Sequence, residues 1–194
     1  MKKRAGFYAA PYVLLLYVLM IMTDRSGICL LTFAAAALHE CGHLLAARCL
    51  GIPLRGIRVD LLGIRIDIGG RMLSYGEEWI LCAAGPLTSL LLAALGAIFW
   101  RNVAFAVTFS CASLILGLLN LLPIRTFDGG RMLECFLHAA LDDRISARIM
   151  SLCSFFFLFL LWACAVYFLL RAGDGLSLFC FSVSLFFRFF DGEF

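Results

Sequence analysis

Charge is what this sequence has least of. Asp, Glu, Lys and Arg make up 15% of its 194 residues, where a soluble domain carries about 25%. Apolar residues take 63%, and the mean hydropathy is +1.00. That balance excludes a disordered chain, a coiled coil and an ordinary cytosolic enzyme. Histidine is scarcer still, at three residues, too few for a di-iron membrane oxygenase. The nine cysteines form no CxxC pair and no framework spacing. Most stand inside apolar runs, where a free thiol behaves as a small hydrophobe. Outside those runs no basic cluster is interleaved with aromatics, which excludes nucleic acid as a partner. Internal repeats and low-complexity linkers are absent as well.

What is present is a series of long apolar runs. A membrane helix takes about 20 apolar residues, so six of them would use about 120, close to the observed apolar share. The runs cover 7–23, 27–47, 79–99, 103–122, 149–170 and a shorter, Phe-rich 176–190. The first follows Met1-Lys2-Lys3-Arg4 and ends at Thr23-Asp24-Arg25 with no small-residue cleavage site, so it reads as a retained span. The expected fold is an all-α polytopic membrane protein of six transmembrane helices. Residues 1–194 form one integral membrane domain, with a core over 27–131 and a C-terminal helix pair over 149–190. Residues 124–148 read as a loop and a short surface helix. With the N terminus in the cytoplasm, only Arg25, Arg101 and Arg171 of the sixteen Lys and Arg fall outside. This asymmetry puts both termini on the cytoplasmic side of a multi-pass protein of the cell membrane. Between the second and third runs, residues 57–68 alternate apolar residues with Arg and Asp around Leu62-Gly63. That is the period of a strand, and a small β-hairpin at the cytoplasmic face is expected.

Ionisable residues inside a span are costly and mark function. The second run holds three together, in His39-Glu40-Cys41-Gly42-His43, an HExxH pattern. On a helix, residues four apart share a face, so His39 and His43 can offer two ring nitrogens to one metal ion. A catalytic zinc keeps three protein ligands and one open position for water. Glu40, next to the first ligand, can take a proton from that water.

A third ligand is required. His138 stands beside Glu134 on the expected surface helix, where water solvates it. Asp128 follows the end of the fourth run, in Asn120-Leu121-Leu122-Pro123-Ile124-Arg125-Thr126-Phe127-Asp128-Gly129-Gly130. Irregular backbone at membrane depth is tolerated where it is buried in protein or lines a cavity. Taken alone, Asp128-Gly129 is also a plain turn signal.

The two motifs together resemble the site-2 protease family of intramembrane zinc metalloproteases. That family pairs HExxH on one membrane helix with NxxPxxxxDG at the end of a later one. Both are complete here, in His39, Glu40 and His43 and in Asn120, Pro123, Asp128 and Gly129. A third family pattern, GxxxN/S/G, matches Gly85 and Ser89. The resemblance covers roughly 27–131 and implies a three-helix catalytic core. It makes Asp128 the third ligand of one Zn²⁺ per chain and Glu40 the general base. It also assigns Asn120, Pro123, Gly85 and Ser89 to the substrate site, Gly85 and Ser89 by letting helices pack closely around it. Asn120 has a simpler reading as a helix-end hydrogen bond.

The resemblance further implies hydrolysis of a peptide bond in or near a membrane-associated segment. The substrate expected is a membrane-tethered protein, such as a transcription or sigma factor. It unwinds locally and pairs with an edge of the 57–68 hairpin. A membrane regulatory partner fits the same scheme, and the lipid bilayer surrounds it. The compact six-span layout is similar to the sporulation branch, the stage IV sporulation protein FB type, but leaves no room for a CBS domain. Two other readings stand beside this one. Prenyl-protein peptidases use HExxH with a Glu as third ligand, and Glu77, Glu78 and Glu134 are available. A non-proteolytic metal carrier or regulatory subunit is the other, although polar residues cluster on one run and Glu40 is retained.

Overall fold

The structure is a computed structural model that describes residues 6–9, 18–60, 63–68, 72–99, 103–172 and 176–191. The chain is mainly helical. In order it runs β1 (Gly6–Ala9), α1 (18–23), α2 (Ile28–Cys49), β2 (Leu54–Asp60), β3 (Gly63–Ile68), α3 (Tyr75–Phe99), α4 (Ala104–Asn120), α5 (Asp128–Ala140), α6 (Asp143–Ala172) and α7 (Leu176–Asp191). It separates into two compact units, Met1–Asn120 and Leu121–Phe194. The boundary falls inside the 27–131 stretch expected as one core.

Among the described residues, α2, α3 and residues Asp143–Arg171 of α6 are long and apolar enough to cross a membrane. Ala104–Asn120 and Leu178–Phe190 are shorter apolar helices. The expected first span needs correction at its start. Residues 7–9 lie in β1, residues 10–17 lie outside the described residues, and 18–23 are helical. Hydropathy counting sees only an apolar run. It does not see that Gly6-Phe7-Tyr8-Ala9 finds a backbone partner along β2.

In the first unit the strands form a sheet in the order β1-β2-β3. β1 runs parallel to β2, from Gly6 opposite Gly56 to Ala9 opposite Val59. β2 and β3 are antiparallel, with Ile57 opposite Ile66 and Asp60 opposite Gly63, and the register is irregular between Leu54 and Gly56. β3 is therefore an edge strand, and it packs near α2.

Three local devices set the helix ends. Asp24 accepts the Cys29 N–H at 2.6 Å and the Ser26 N–H at 2.9 Å, satisfying a donor that the first turn of α2 would leave open. At the other end, Ile52 N–H bonds the Ala47 carbonyl at 2.8 Å and Gly51 N–H bonds that of Arg48 at 3.2 Å. Gly51 takes φ +65°. This is a Schellman stop, where glycine bears the left-handed backbone at no steric cost. It folds Ile52 onto Ala47 and Leu81 in a buried cluster. α3 opens on a capping box: Ser74 Oγ accepts the Glu77 N–H at 3.3 Å, and Glu77 Oε2 accepts the Ser74 N–H at 3.0 Å.

α2, α3 and α4 pack on one another in this unit. Small residues let them approach. A Cβ on Gly42 would stand 2.7 Å from the Ala84 carbonyl oxygen, and one on Gly117 would stand 3.1 Å from Ser89 Cβ. Close approach of backbones replaces the hydrophobic drive that lipid removes.

In the second unit, α5 packs on α6 and α6 on α7. The residues between α4 and α5 fold back over the first turn of α5. A Cβ on Gly129 would lie 2.8 Å from Leu121 Cα, and one on Gly130 would lie 2.8 Å from the Arg125 nitrogen. Ile124 is fully buried there, and Phe127 N–H bonds its carbonyl at 2.8 Å.

Candidate metal centre

α2 carries His39, Glu40 and His43 on adjoining turns. One ligand atom from each lies within 4.8 Å of the others. His39 is buried at 3% exposure, while Glu40 and His43 are partly buried. The helical spacing brings them together, and α3 fixes how the rings stand.

His43 Nδ1 lies 2.8 Å from the Leu81 carbonyl. A carbonyl only accepts, so Nδ1 carries the proton and Nε2 presents its lone pair. Pro86 supplies no N–H to the Cys82 carbonyl, and its ring crowds that turn of α3. Leu81 is in the same turn. His39 Nδ1 lies 2.9 Å from Ser89 Oγ, which is fully buried. With both Nδ1 atoms held from behind, the two Nε2 atoms face each other at 3.3 Å.

That distance tests the fit of a metal. Two Zn–N bonds of about 2.0–2.1 Å at a tetrahedral angle hold their nitrogens about 3.3–3.4 Å apart. Gly85 keeps the space open: a Cβ there would overlap His43 Nε2 and stand 2.7 Å from His39 Nε2. The donor set, its spacing and the anchoring of both rings therefore suit zinc. The hydrogen bond behind each ring also fixes its orientation, and the Leu81 carbonyl sets the tautomer of His43.

The residues expected at the site divide as follows. His39, Glu40, His43, Gly85 and Ser89 come together on α2 and α3. Gly85 and Ser89 act on the histidines: one leaves room for the rings and the other anchors His39. Asn120 ends α4, and its Nδ2 donates to the Leu116 carbonyl at 3.0 Å, the helix-end bond that was the simpler reading. Pro123 and Asp128 belong to the second unit. Asp128 opens α5, where a carboxylate suits the positive end of the helix dipole. His138 is engaged elsewhere, with Nδ1 2.8 Å from Asp143 Oδ1. Of the alternative ligands Glu77, Glu78 and Glu134, Glu134 pairs with Arg125 through Nε at 3.1 Å and Glu77 caps α3 through Ser74.

Two contributors escape a motif search. Leu81 acts through its backbone carbonyl, which no side-chain pattern encodes. Gly42 stands at an unspecified position of HExxH, and its only signal is a glycine in mid-helix.

Comparisons with known proteins returned a family model, curated relatives and a solved structure. Residues 97–164 match the model of peptidase family M50. That stretch contains Asn120, Pro123, Asp128 and Gly129 but not HExxH. A protein named "Putative zinc metalloprotease Rip3", from two strains of Mycobacterium tuberculosis, is 29% identical over 134 residues, covering 64% of this chain and 34% of Rip3. The chain thus spans about a third of the length of the curated relatives it matches. A site-2 protease from Methanocaldococcus jannaschii superposes with a TM-score of 0.63 at 22% identity, over 93% of this chain and 85% of that one. The fold is that of a site-2 protease.

Proposed function

We propose that this chain, a relative of the M50 peptidases with a site-2 protease fold, is an intramembrane zinc metalloprotease. The observation that carries the reading is the pair of anchored histidines whose Nε2 atoms converge to 3.3 Å beside a carboxylate. His39, His43 and Asp128 would hold one Zn²⁺ per chain. The assignment of Asp128 rests on the Asn120–Gly129 motif. Bound there, zinc would supply polarisation of a peptide carbonyl and a lowered pKa for a water molecule.

The chain's own residues do the rest. Ser89 and the Leu81 carbonyl keep the imidazoles in place. Glu40 accepts the proton of the attacking water. As the C–O bond forms and the C–N bond breaks, Glu40 gives that proton to the leaving nitrogen, which departs as an amine. The substrate is a membrane-tethered protein segment that must unwind to expose its peptide bond. An edge strand such as β3 offers main-chain hydrogen bonds to a stretch of that kind. The resemblance assigns Asn120 and Pro123 to the substrate side of the site. The six apolar runs would supply six spans, and the asymmetry of the basic residues would place both termini in the cytoplasm. A membrane-tethered transcription or sigma factor is a substrate of this class.

Two variants test the mechanism, with candidate tethered substrates co-expressed. Glu40→Gln should bind zinc as the wild type does and lose cleavage by about 10²-fold or more. Full cleavage by that protein would overturn the role of Glu40. Asp128→Ala should bind zinc more weakly, and wild-type affinity would remove it from the ligand set.

A further inference from the structure

Asp128 follows a stretch with little regular structure. A ligand at the end of such a stretch needs external support if its carboxylate is to keep one position. Residues 121–127 receive that support from three directions, all within the second unit. The Arg125 guanidinium holds Glu134 on α5 through Nε at 3.1 Å, and through a terminal nitrogen to the same carboxylate oxygen. The backbone N–H of Arg125 donates to Ser154 Oγ on α6 at 3.2 Å, and Ser154 is 1% exposed. The Phe127 ring stacks on Phe181 of α7, with centroids 6.4 Å apart and planes 11° apart.

The first turn of α5 bears on the same peptide. A Cβ at Gly130 would stand 2.8 Å from the Arg125 nitrogen, so the loop lies directly on the helix that begins with Asp128. Arg125 is thus tied at both ends, its main chain to α6 and its side chain to α5. Shifting the loop would break a charge-assisted hydrogen bond and leave the buried Ser154 hydroxyl without this donor. Its side chain and that of Glu134 are 33% and 25% exposed. A pair this exposed contributes little to overall stability, which leaves local geometry as its main effect.

We propose that Arg125, through Glu134 and Ser154, is a positioning residue that holds the Asp128 carboxylate in the orientation metal binding requires. This inference rests on the reading of Asp128 as a ligand. It predicts that breaking the latch weakens metal binding while the protein stays folded.

The test is a chelator-competition titration of the full chain in detergent with Zn²⁺ alone, alongside the thermal midpoint. Arg125→Ala should bind Zn²⁺ about 10–100-fold more weakly, as loss of outer-shell partners does, with little change in midpoint. Ser154→Ala should weaken it in the same direction. The exchange Arg125→Glu with Glu134→Arg should recover much of the lost affinity. Arg125→Lys keeps the charge but not the two-nitrogen contact, so it should fall between wild type and Arg125→Ala. It serves as the probe if Arg125→Ala does not fold. Suppose Asp128→Ala loses affinity while Arg125→Ala and Arg125→Lys bind as wild type: the positioning role is then wrong and the ligand stands. Wild-type binding by Asp128→Ala would overturn the ligand and the latch together. Affinity that falls only in step with the thermal midpoint would reduce the latch to a general structural contact, overturning the proposal.

Discussion

At the scale of single residues, the metal centre is decided by what stands behind the two histidines. Ser89 Oγ meets His39 Nδ1 at 2.9 Å, and the Leu81 carbonyl meets His43 Nδ1 at 2.8 Å. Ser89→Ala removes the first anchor without touching a ligand and should weaken Zn²⁺ binding about 10–100-fold. Gly85→Ala places a methyl where the His43 ring stands and should weaken it at least as far. Chelator competition on the two purified variants checks both, and wild-type affinity in Ser89→Ala would show that the bond does not orient His39. HExxH names the candidate ligands because 3.6 residues per turn brings positions four apart together. Leu81 stays invisible in the sequence because a carbonyl belongs to every residue. Gly85 is legible as part of a pattern, but its task, leaving room for two rings, emerges only when α3 lies against α2.

At the scale of elements, local signals account for most boundaries. Ser74 and Glu77 begin α3, Gly51 ends α2, and Asp24 prepares the start of α2. The Asp24 carboxyl is lowered from 3.8 to about 2, first by the Ser26 hydroxyl and then by the Cys29 N–H. A depressed carboxyl stabilises the fold fully above pH 3.8, and that contribution fades as pH falls through about 2. Asp24→Asn should therefore unfold at a lower temperature than wild type at pH 5, and the gap should narrow towards pH 2. Thermal melts followed by circular dichroism in detergent measure this, and a gap that does not depend on pH would refute the role of ionisation. β1 marks where local signals fail. Gly6–Ala9 opens an apolar run, and only its pairing with Gly56–Val59 makes it a strand. That partner is some fifty residues away, beyond the reach of any window on the sequence.

At the scale of the whole molecule, the apolar surface is the main physical fact. Leu45, Leu87, Leu91, Ile98, Phe105 and Leu170 are each at least 60% exposed, on helices long or apolar enough to belong in a bilayer. Water would not tolerate so much apolar area on one protein. Membranes carrying the protein should keep it in the pellet after an alkaline carbonate wash, and release into the supernatant would overturn an integral location. The sequence alone determined the membrane setting, the helix order and the two histidines of the candidate metal centre. Those depend on composition and on spacing along one helix, which are local properties. Tertiary structure decided the rest: that β1 is a strand, that Ser89 and Leu81 aim the rings, that Gly85 is the floor beneath them, and that Asn120 closes its own helix. Each depends on which residue of a distant element comes within about 3 Å, the range at which hydrogen bonds act. Packing of the folded chain sets that distance, and no spacing along the sequence encodes it.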